Sequence, residues 1–243
     1  MHQTFTETFS FAFLGGVLPA LIWLFLWLLE DEKHPEPKRR IFKAFAAGAL
    51  LVPVALLIER IIAEFLGYSA TNQLGNLDFS FPALLAFAAV EESVKLAAAY
   101  LSSFRHNKDF DEPVDTMIYL ISAALGFAAF ENALFVERGL TLHFGVNLLV
   151  YSGSLRFVGA TLLHVVSSGL LGGFLAYTFW KKRHTTAIAT GLGSVILLHA
   201  VFNFFILKGG EGVVTILTFA FLWFITFILI GVFQKIKHLK HIS

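Results

Sequence analysis

The sequence predicts an all-α protein, a polytopic transmembrane helix bundle of about seven spans with one further interfacial or re-entrant helix. Two observations predict this class. Of the 243 residues, 57% are hydrophobic and only 14% are charged, against about 25% charged in soluble domains. Long apolar runs also recur between short polar segments. At about 20 apolar residues for each span, the chain has no room for a separate soluble domain, so we expect one integral membrane domain over residues 1–243.

Seven apolar segments predict the spans. In chain order they cover residues 9–29, 41–66, 79–101, 113–135, 155–180, 185–207 and 213–233. The segment 141–154 is apolar in part but too short to cross the bilayer, and we expect it to form the interfacial or re-entrant helix.

Basic side chains alternate between the loops and predict the orientation of the chain. They are concentrated after the first, third, fifth and seventh predicted spans, at Lys33, Lys38, Arg39, Arg40, Arg105, Lys108, Lys181, Lys182, Arg183, Lys235, Lys237 and Lys240. Because cytoplasmic loops carry an excess of lysine and arginine, the N-terminus is predicted outside and the C-terminus inside. The predicted location is the cell membrane, with multiple passes through the lipid bilayer.

The absence of cysteine and the small net charge exclude several kinds of site. A chain without cysteine forms no disulfide, thiol nucleophile or thiolate zinc site. The formal net charge is +1 and its basic residues are scattered over short loops, so no nucleic-acid partner is predicted.

Four of the predicted spans carry polar side chains at depths where lipid makes them costly. A charge near the bilayer centre costs at least about 2.5 to 3.5 kcal/mol, so such residues are candidates for function. The candidates are Glu91 and Glu92 in the third span, Glu131 in the fourth, His164 in the fifth, and His199 and Asn203 in the sixth. Glu91 lies roughly 18 Å and His164 roughly 14 Å from the outer ends of their spans. We expect the four helices to bring these groups into one water-accessible pocket that leans outward.

Other polar or small residues in the spans have simpler interpretations. Lys95 follows Glu92 by three residues, a spacing at which it can neutralise a carboxylate. Gly169 and Gly173 form a pair typical of close helix packing. Glu59, near the outer end of the second span, is expected to be an interfacial charge.

The candidate set permits peptide hydrolysis, which needs a water molecule, a base and donors to the oxyanion. A serine mechanism is not favoured, because the candidate serines lack a Gly-x-Ser-x-Gly context; they are Ser152, Ser154, Ser167 and Ser168. An aspartyl mechanism is not favoured either, because the aspartates lie in loops or at helix ends. There is no His-Glu-x-x-His motif, but glutamates and histidines from separate helices could bind a divalent metal such as zinc.

Four motifs in order carry a family resemblance. They are Glu-Glu-Ser-Val-Lys at 91–95, the segment 110–119 leading into Gly-Phe-Ala-Ala-Phe-Glu-Asn at 126–132, Arg156 with His164, and His199 with Asn203. Together they resemble the PrsW family of intramembrane proteases, which is distantly similar to the superfamily of CAAX prenyl proteases and bacteriocin-processing enzymes. Where that superfamily ends its second motif in histidine, this chain has Glu131. The exchange makes a metal-assisted variant an alternative to a purely glutamic mechanism.

The resemblance implies roles for the candidate residues. Glu91 and Glu92 would be the essential acidic pair, and one of them, left undecided, would activate the hydrolytic water. His164 would help to bind water or metal, and His199 with Asn203 would stabilise the oxyanion. Family members resemble site-one proteases that cut membrane-anchored anti-sigma factors on the extracytoplasmic side, so the implied substrate is a single-span membrane protein.

Two other functions remain open. An ion- or proton-coupled transporter could use the same glutamate and histidine cluster as a relay. It would need polar residues along a path to both membrane faces, yet the cytoplasmic halves of the spans carry few apart from Lys95. A catalytically inactive scaffold is not favoured, because every candidate position is occupied. We therefore expect an intramembrane endopeptidase.

Overall fold

The computed structural model describes residues 5–29, 35–68, 79–105, 107–141, 159–180, 184–208 and 212–239. These described residues form seven α-helices and no strands. The helices are α1 Phe5–Leu28, α2 Lys38–Phe65, α3 Phe81–Ala99, α4 Asp115–Thr141, α5 Thr161–Ala176, α6 His184–Lys208 and α7 Val213–Ile236. A π-helical turn, Tyr100–Phe104, continues α3. The all-α prediction is confirmed.

Four of these helices, α2, α4, α6 and α7, are long and apolar enough to cross a membrane. Helices α1 and α5 contribute shorter apolar stretches, Phe13–Leu28 and Thr161–Ala176, and α3 carries three ionisable residues within its 19. The multi-pass prediction is confirmed, while the count of seven spans and the orientation of the termini stay predictions. The predicted interfacial helix at 141–154 lies, beyond its first residue, outside the described residues.

One helix boundary differs from the predicted span for a physical reason. Helix α4 continues to Thr141, six residues past the predicted end, because polar residues such as Glu137 and Arg138 end an apolar run without ending a helix. The start of the fifth predicted span, at residue 155, lies outside the described residues. Hydropathy reports where a segment can contact lipid, whereas backbone hydrogen bonding sets where the helix stops.

Helix α4 is the central element and packs against α1, α2, α3 and α5. All residues from Asp115 to Ala129 are buried. Glycines allow α2 and α4 to touch backbone to backbone: a Cβ atom at Gly48 would clash with the Ala123 carbonyl, and one at Gly126 would clash with the Phe45 carbonyl. This close contact fixes the position of α2 along the axis of α4, next to the part of α4 that precedes Glu131.

Helix α5 also uses small residues at its contacts. A Cβ atom at Gly169 would lie 2.8 Å from a Leu229 side-chain carbon, and one at Gly173 would lie 3.1 Å from a Val232 side-chain carbon, both on α7. The prediction of close packing by this glycine pair is confirmed. The contact holds α5, and with it His164, against the bundle.

Several helix ends meet on one face of the bundle. Arg40 at the start of α2 pairs with Asp109 in the loop before α4 at 3.3 Å. Lys235 at the end of α7 lies 5.9 Å from the ring centre of Tyr177, just after α5. These are the ends that the loop charges predict to be cytoplasmic, and we call this face the basic face.

The end of α2 and the start of α3 meet on the opposite face. The Tyr68 hydroxyl donates to the Ser80 hydroxyl at 3.0 Å and accepts the Ser80 backbone N–H at 2.8 Å. These hydrogen bonds lower the pKa of Tyr68, and the charge of Lys208 at the end of α6 acts in the same direction. The three helix ends therefore lie near one another.

A buried acidic group lies at the basic face. Glu36, just before α2, accepts a hydrogen bond from the Tyr119 hydroxyl of α4 and contacts Asp115 at the start of α4. Burial raises the pKa of Glu36, and the charges of Asp111 and Asp109 act in the same direction. The hydrogen bonds to Tyr119 and Asp115 oppose this shift without cancelling it.

Candidate active site

Five of the six predicted site residues lie together where α3, α4, α5 and α6 meet; they are Glu91, Glu92, Glu131, His164 and His199. Measured along their helices, Glu91, Glu131 and His199 each lie about 14 to 15 Å from the helix end opposite the basic face. They therefore share one level in the bundle, and side chains far apart in sequence contact one another there.

Glu92 is the most highly connected residue of this cluster. Its Oε1 atom lies 2.6 Å from Lys95 Nζ, 2.6 Å from His199 Nδ1 and 3.0 Å from Ser167 Oγ. The side chain is fully buried, and no described residue forms a hydrogen bond with its Oε2 atom. One oxygen atom thus receives donors from α3, α5 and α6.

Lys95 links the carboxylate of Glu92 to an imidazole. Its ammonium lies 3.0 Å from His164 Nδ1 and 5.7 Å from the ring centre of Phe127, and its side chain is fully buried. The ion pair with Glu92 is the one that their spacing of three residues indicated. A buried lysine is tolerated here because a carboxylate, an imidazole and an aromatic face surround it.

His164 spans the middle of the cluster. Its Nε2 atom lies 3.0 Å from Glu131 Oε2, and its ring lies edge-on to that of His199, with ring centres 5.4 Å apart. The His164 side chain is 3% exposed and that of Glu131 is 30% exposed. The cluster therefore has a closed interior, and Glu131 is more exposed than the His164 that it contacts.

Glu91 faces both histidines without bonding to either. Its Oε2 atom lies 3.9 Å from His164 Nδ1 and 3.8 Å from His199 Nε2, is itself buried and has no hydrogen-bond partner among the described residues. A buried carboxylate oxygen without a donor is costly. The three side chains therefore face one another without a direct hydrogen bond between Glu91 and either histidine.

The hydrogen bonds determine which ring nitrogen of His199 carries a proton. Because Nδ1 contacts the acceptor Glu92 Oε1, it is the donor, and in the neutral imidazole Nε2 then carries the lone pair. That lone pair is on the side of Glu91. A carboxylate that holds a histidine by one ring nitrogen, while the other faces a ligand position, is typical of metal centres and of proton-transfer sites.

The side chains fit a divalent ion such as zinc. One atom each of Glu91, His164 and His199 lie within 4.8 Å of one another, and imidazole nitrogen with carboxylate oxygen is a donor set that zinc accepts. Glu91 Oε2 and His199 Nε2 make no hydrogen bond, whereas both ring nitrogens of His164 contact Lys95 or Glu131. An ion held by all three residues would therefore replace one His164 contact.

Asn203 is the predicted residue that the structure does not join to the cluster. It lies one turn beyond His199 on α6 and is partly exposed. No side-chain hydrogen bond links it to the described part of the chain. Arg156 of the predicted motif lies outside the described residues.

Glu59 is not simply the interfacial charge that its position at the outer end of the second span suggested. On α2 it follows Ala55 by one turn, and Ala55 packs near Phe127, which precedes Glu131 by one turn. Glu59 therefore lies near Glu131, whose charge acts on it, and its Oε1 atom is buried with no hydrogen-bond partner among the residues described. The spacing Val52, Ala55, Glu59 along one helix face is the signal that sequence reasoning missed.

A separate apolar cavity of about 550 Å³ lies toward the basic face, between α3, α6 and the end of α5. Leu96, Tyr100, Phe179 and Leu192 are among its lining residues. None of the cluster residues lines it. The ionisable groups that hydrolysis requires therefore lie in the polar cluster and not in this cavity.

Comparison with known families decides what kind of protein carries this cluster. The model of the PrsW family, described as intramembrane metalloproteases, matches residues 36–230. The chain belongs to the PrsW family. The matched range includes every residue of the cluster. As a member, the chain is a multi-pass membrane peptidase that acts on a membrane-embedded substrate, which favours the endopeptidase over the transporter.

Individual PrsW relatives are similar over most of their length. Protease PrsW of Oceanobacillus iheyensis is 32% identical over 220 residues, 87% of this chain and 90% of the relative. Protease PrsW of Clostridioides difficile (strain 630) is 28% identical over 198 residues, 80% and 79% of the two chains. That of Bacillus subtilis (strain 168) is 27% identical over 216 residues, 86% and 89%. Among solved structures there is no match to the chain.

Proposed function

We propose that this PrsW member is an endopeptidase that cuts single-span, membrane-anchored proteins such as anti-sigma factors near the extracytoplasmic side, with Glu91, His164 and His199 at the hydrolytic centre. The observation that carries the proposal is the position of Glu91 Oε2, buried, without a hydrogen bond, and 3.8 to 3.9 Å from a nitrogen of each histidine. A water molecule or an ion there would meet an acceptor and two imidazoles.

The two adjacent glutamates have different roles in this proposal. Glu92 is fully buried and its Oε1 atom is engaged by three donors, so it orients His199 and does not reach substrate. Glu91 is 13% exposed and its Oε2 atom has no donor, so it is the carboxylate that meets the hydrolytic water. Geometry thus favours Glu91 as the base or ligand, a choice that the adjacent positions in the sequence leave open.

The histidines and Asn203 complete the proposed centre. His199 holds its proton on Nδ1 against Glu92, so Nε2 is free to accept one. His164 is kept between Lys95 and Glu131, which fixes its ring plane. Asn203, one turn from His199, is the proposed amide donor to the oxyanion. Its side chain would contact the oxyanion only once substrate is bound.

A divalent metal is compatible with the centre. Glu91, His164 and His199 would hold it, and Glu92 would act as the outer carboxylate behind His199. When bound, such an ion supplies Lewis acidity and lowers the pKa of bound water. The shell around it, Lys95 and Phe127 together with the packed helices, excludes bulk water from the closed side.

The side on which substrate is cut follows from the exposure of Glu131. This residue and Glu59 lie beyond the closed part of the cluster, away from the basic face. The charge alternation of the loops predicts that the basic face is cytoplasmic, so Glu131 would lie toward the exterior. The grouping of helix ends by the Arg40–Asp109 pair and by Tyr68 with Ser80 agrees with this alternation.

The proposal is tested with purified protein in detergent or proteoliposomes and a single-span substrate with an extracytoplasmic domain. We expect cleavage by the wild type and none by Glu91→Gln, with the cut mapped by mass spectrometry to the extracytoplasmic side. Glu64→Gln is the matched control, because Glu64 is exposed and pairs with Arg60 on the same helix. Equal cleavage by wild type and Glu91→Gln would contradict the assignment.

A further inference from the structure

Ser167 makes a contact that a serine in a membrane helix does not need. It lies on α5, three residues after His164, and is fully buried. Its hydroxyl lies 3.0 Å from Glu92 Oε1, on another helix, and 3.2 Å from the His164 backbone carbonyl. A hydroxyl has one hydrogen to donate, and a bond to an ionised carboxylate is stronger than one to a neutral carbonyl. The hydrogen therefore points to Glu92.

The neighbouring serine shows what the helix itself requires. Ser168 is equally buried, yet its hydroxyl has no hydrogen-bond partner in the described part of the chain. Ser122 on α4 shows the usual arrangement, in which the hydroxyl donates to the carbonyl four residues earlier. Because α5 tolerates one buried serine without a partner, the contact from Ser167 to Glu92 is not explained by the stability of the helix.

The contact between Ser167 and Glu92 also affects His199, whose other ring nitrogen faces Glu91. Glu92 Oε1 receives Ser167 Oγ from α5 and His199 Nδ1 from α6, so the hydroxyl limits rotation of the carboxylate away from the imidazole. As long as Glu92 accepts from Nδ1, the Nε2 lone pair of His199 stays on the side of Glu91. Lys95 also reaches α5, at His164 Nδ1, but its bond to Glu92 joins two residues of α3. Among these donors only Ser167 joins the carboxylate directly to α5.

We propose that Ser167 is a positioning residue of the hydrolytic centre, whose hydroxyl holds the Glu92 carboxylate against His199 so that Nε2 of the imidazole faces Glu91. This inference rests on the proposed function. It assigns Ser167 no contact with substrate. Removal of the hydroxyl should therefore lower the turnover rate without weakening substrate binding.

The test compares Ser167→Ala with Ser168→Ala, two deletions of a buried hydroxyl at adjacent positions. We expect Ser167→Ala to lower kcat by about 10- to 100-fold, the usual effect of losing a partner behind a catalytic or ligand side chain, with KM unchanged. Ser168→Ala should keep the wild-type kcat. Ser167→Cys, which retains a weak donor of similar shape, should recover part of the lost rate.

A second measurement does not depend on activity. Thermal unfolding of Ser167→Ala, Glu92→Gln and the double variant forms a cycle that reports whether the two side chains interact. We expect Ser167→Ala to lower the midpoint less in the Glu92→Gln background than in the wild type.

The outcomes separate this inference from the function on which it rests. If the wild type cuts substrate, Glu91→Gln does not, and Ser167→Ala keeps the wild-type kcat, the positioning role is wrong and the proposed function stands. A Ser167→Ala variant whose KM rises while kcat holds would also overturn the inference. If the wild type does not cut substrate, or if Glu91→Gln cuts it equally well, the proposed function fails. Separately, if Ser167→Ala lowers the unfolding midpoint equally in the wild type and in Glu92→Gln, the contact between Ser167 and Glu92 is wrong as well.

Discussion

Exchanging each glutamate of the adjacent pair for glutamine should separate a loss of activity from a loss of stability. Both Glu91→Gln and Glu92→Gln keep the size of the side chain and remove its charge. In the structure the two carboxylates differ sharply, because Glu92 Oε1 accepts from three donors whereas Glu91 Oε2 accepts from none. We expect both variants to lose cleavage, and only Glu92→Gln to lose stability.

The magnitude follows from the burial of the ion pair. Glu92 and Lys95 are both 0% exposed and 2.6 Å apart, and removal of one partner from a buried pair costs about 3 to 5 kcal/mol. For a chain of this size that lowers the unfolding midpoint by roughly 6 to 20 °C. Glu91→Gln breaks no hydrogen bond at Oε2, and we expect a change of about 1 kcal/mol or less. Loss of Glu91 as the base lowers the rate by at least about 100-fold, and loss of Glu92 as the partner behind His199 lowers it by about 10- to 100-fold.

The assay pairs thermal unfolding in detergent, followed by tryptophan fluorescence, with cleavage of a single-span substrate. Correct membrane insertion of both variants is the control, checked by extraction from membranes at wild-type levels. Equal destabilisation by the two substitutions would refute the division of roles between Glu91 and Glu92. So would a Glu91→Gln variant that cuts substrate at the wild-type rate.

Three further predictions concern metal, topology and pH. If the centre holds a divalent ion, chelation should stop turnover and His199→Ala should lower the metal content found by elemental analysis; full activity with far less than one ion per chain would contradict this. A cysteine at Val213 should react with an impermeant thiol reagent in intact cells, and one at Lys108 should not. The native chain has no cysteine that would contribute to the labelling, and labelling at Lys108 would overturn the predicted orientation. Because burial raises the pKa of Glu36 above its usual 4.5, its contribution to stability is fully present below pH 4.5 and is lost as pH rises through the raised value. The unfolding midpoint of Glu36→Gln should therefore decline less with pH over that window than the wild type, and parallel curves would contradict the burial argument.

Much of the cluster could be predicted because lipid makes polar residues conspicuous. Glu91, Glu92, Glu131, His164 and His199 lie on apolar segments, where each charge or imidazole demands a partner. Helical periodicity and the alternation of loop charges then bring them to one level. The sequence could not divide the roles of Glu91 and Glu92, because adjacent residues point about 100° apart on a helix and only the neighbouring helices decide what each one meets.

The residues that prediction missed are those whose surroundings depend on tertiary register. The sequence offered Ser167 only as a candidate nucleophile without a Gly-x-Ser-x-Gly context, because its contact with Glu92 joins residues 75 apart in sequence. Glu59 was expected to be interfacial because it lies near the outer end of the second predicted span, yet its own face of α2 packs against α4. Asn203 is the opposite case, a residue predicted to join the cluster that does not bond to it. Its spacing of one turn from His199 does not by itself produce contact.

The attachment of Glu92 to later helices has a consequence for how the protein is made. Its partners Ser167 and His199 follow it by 75 and 107 residues, so at about 5 to 20 residues per second α3 waits roughly 5 to 20 s for them during synthesis. Until then Glu91, Glu92 and Lys95 can form ion pairs only within α3. Each charge adds about 2.5 to 3.5 kcal/mol to the free energy of insertion into the lipid bilayer. Helix α3 thus depends for its integration on helices that leave the ribosome after it. A nascent chain interrupted before α6 should stay unstably inserted and become a substrate of membrane quality control, so that a half-made protease never acquires a working centre.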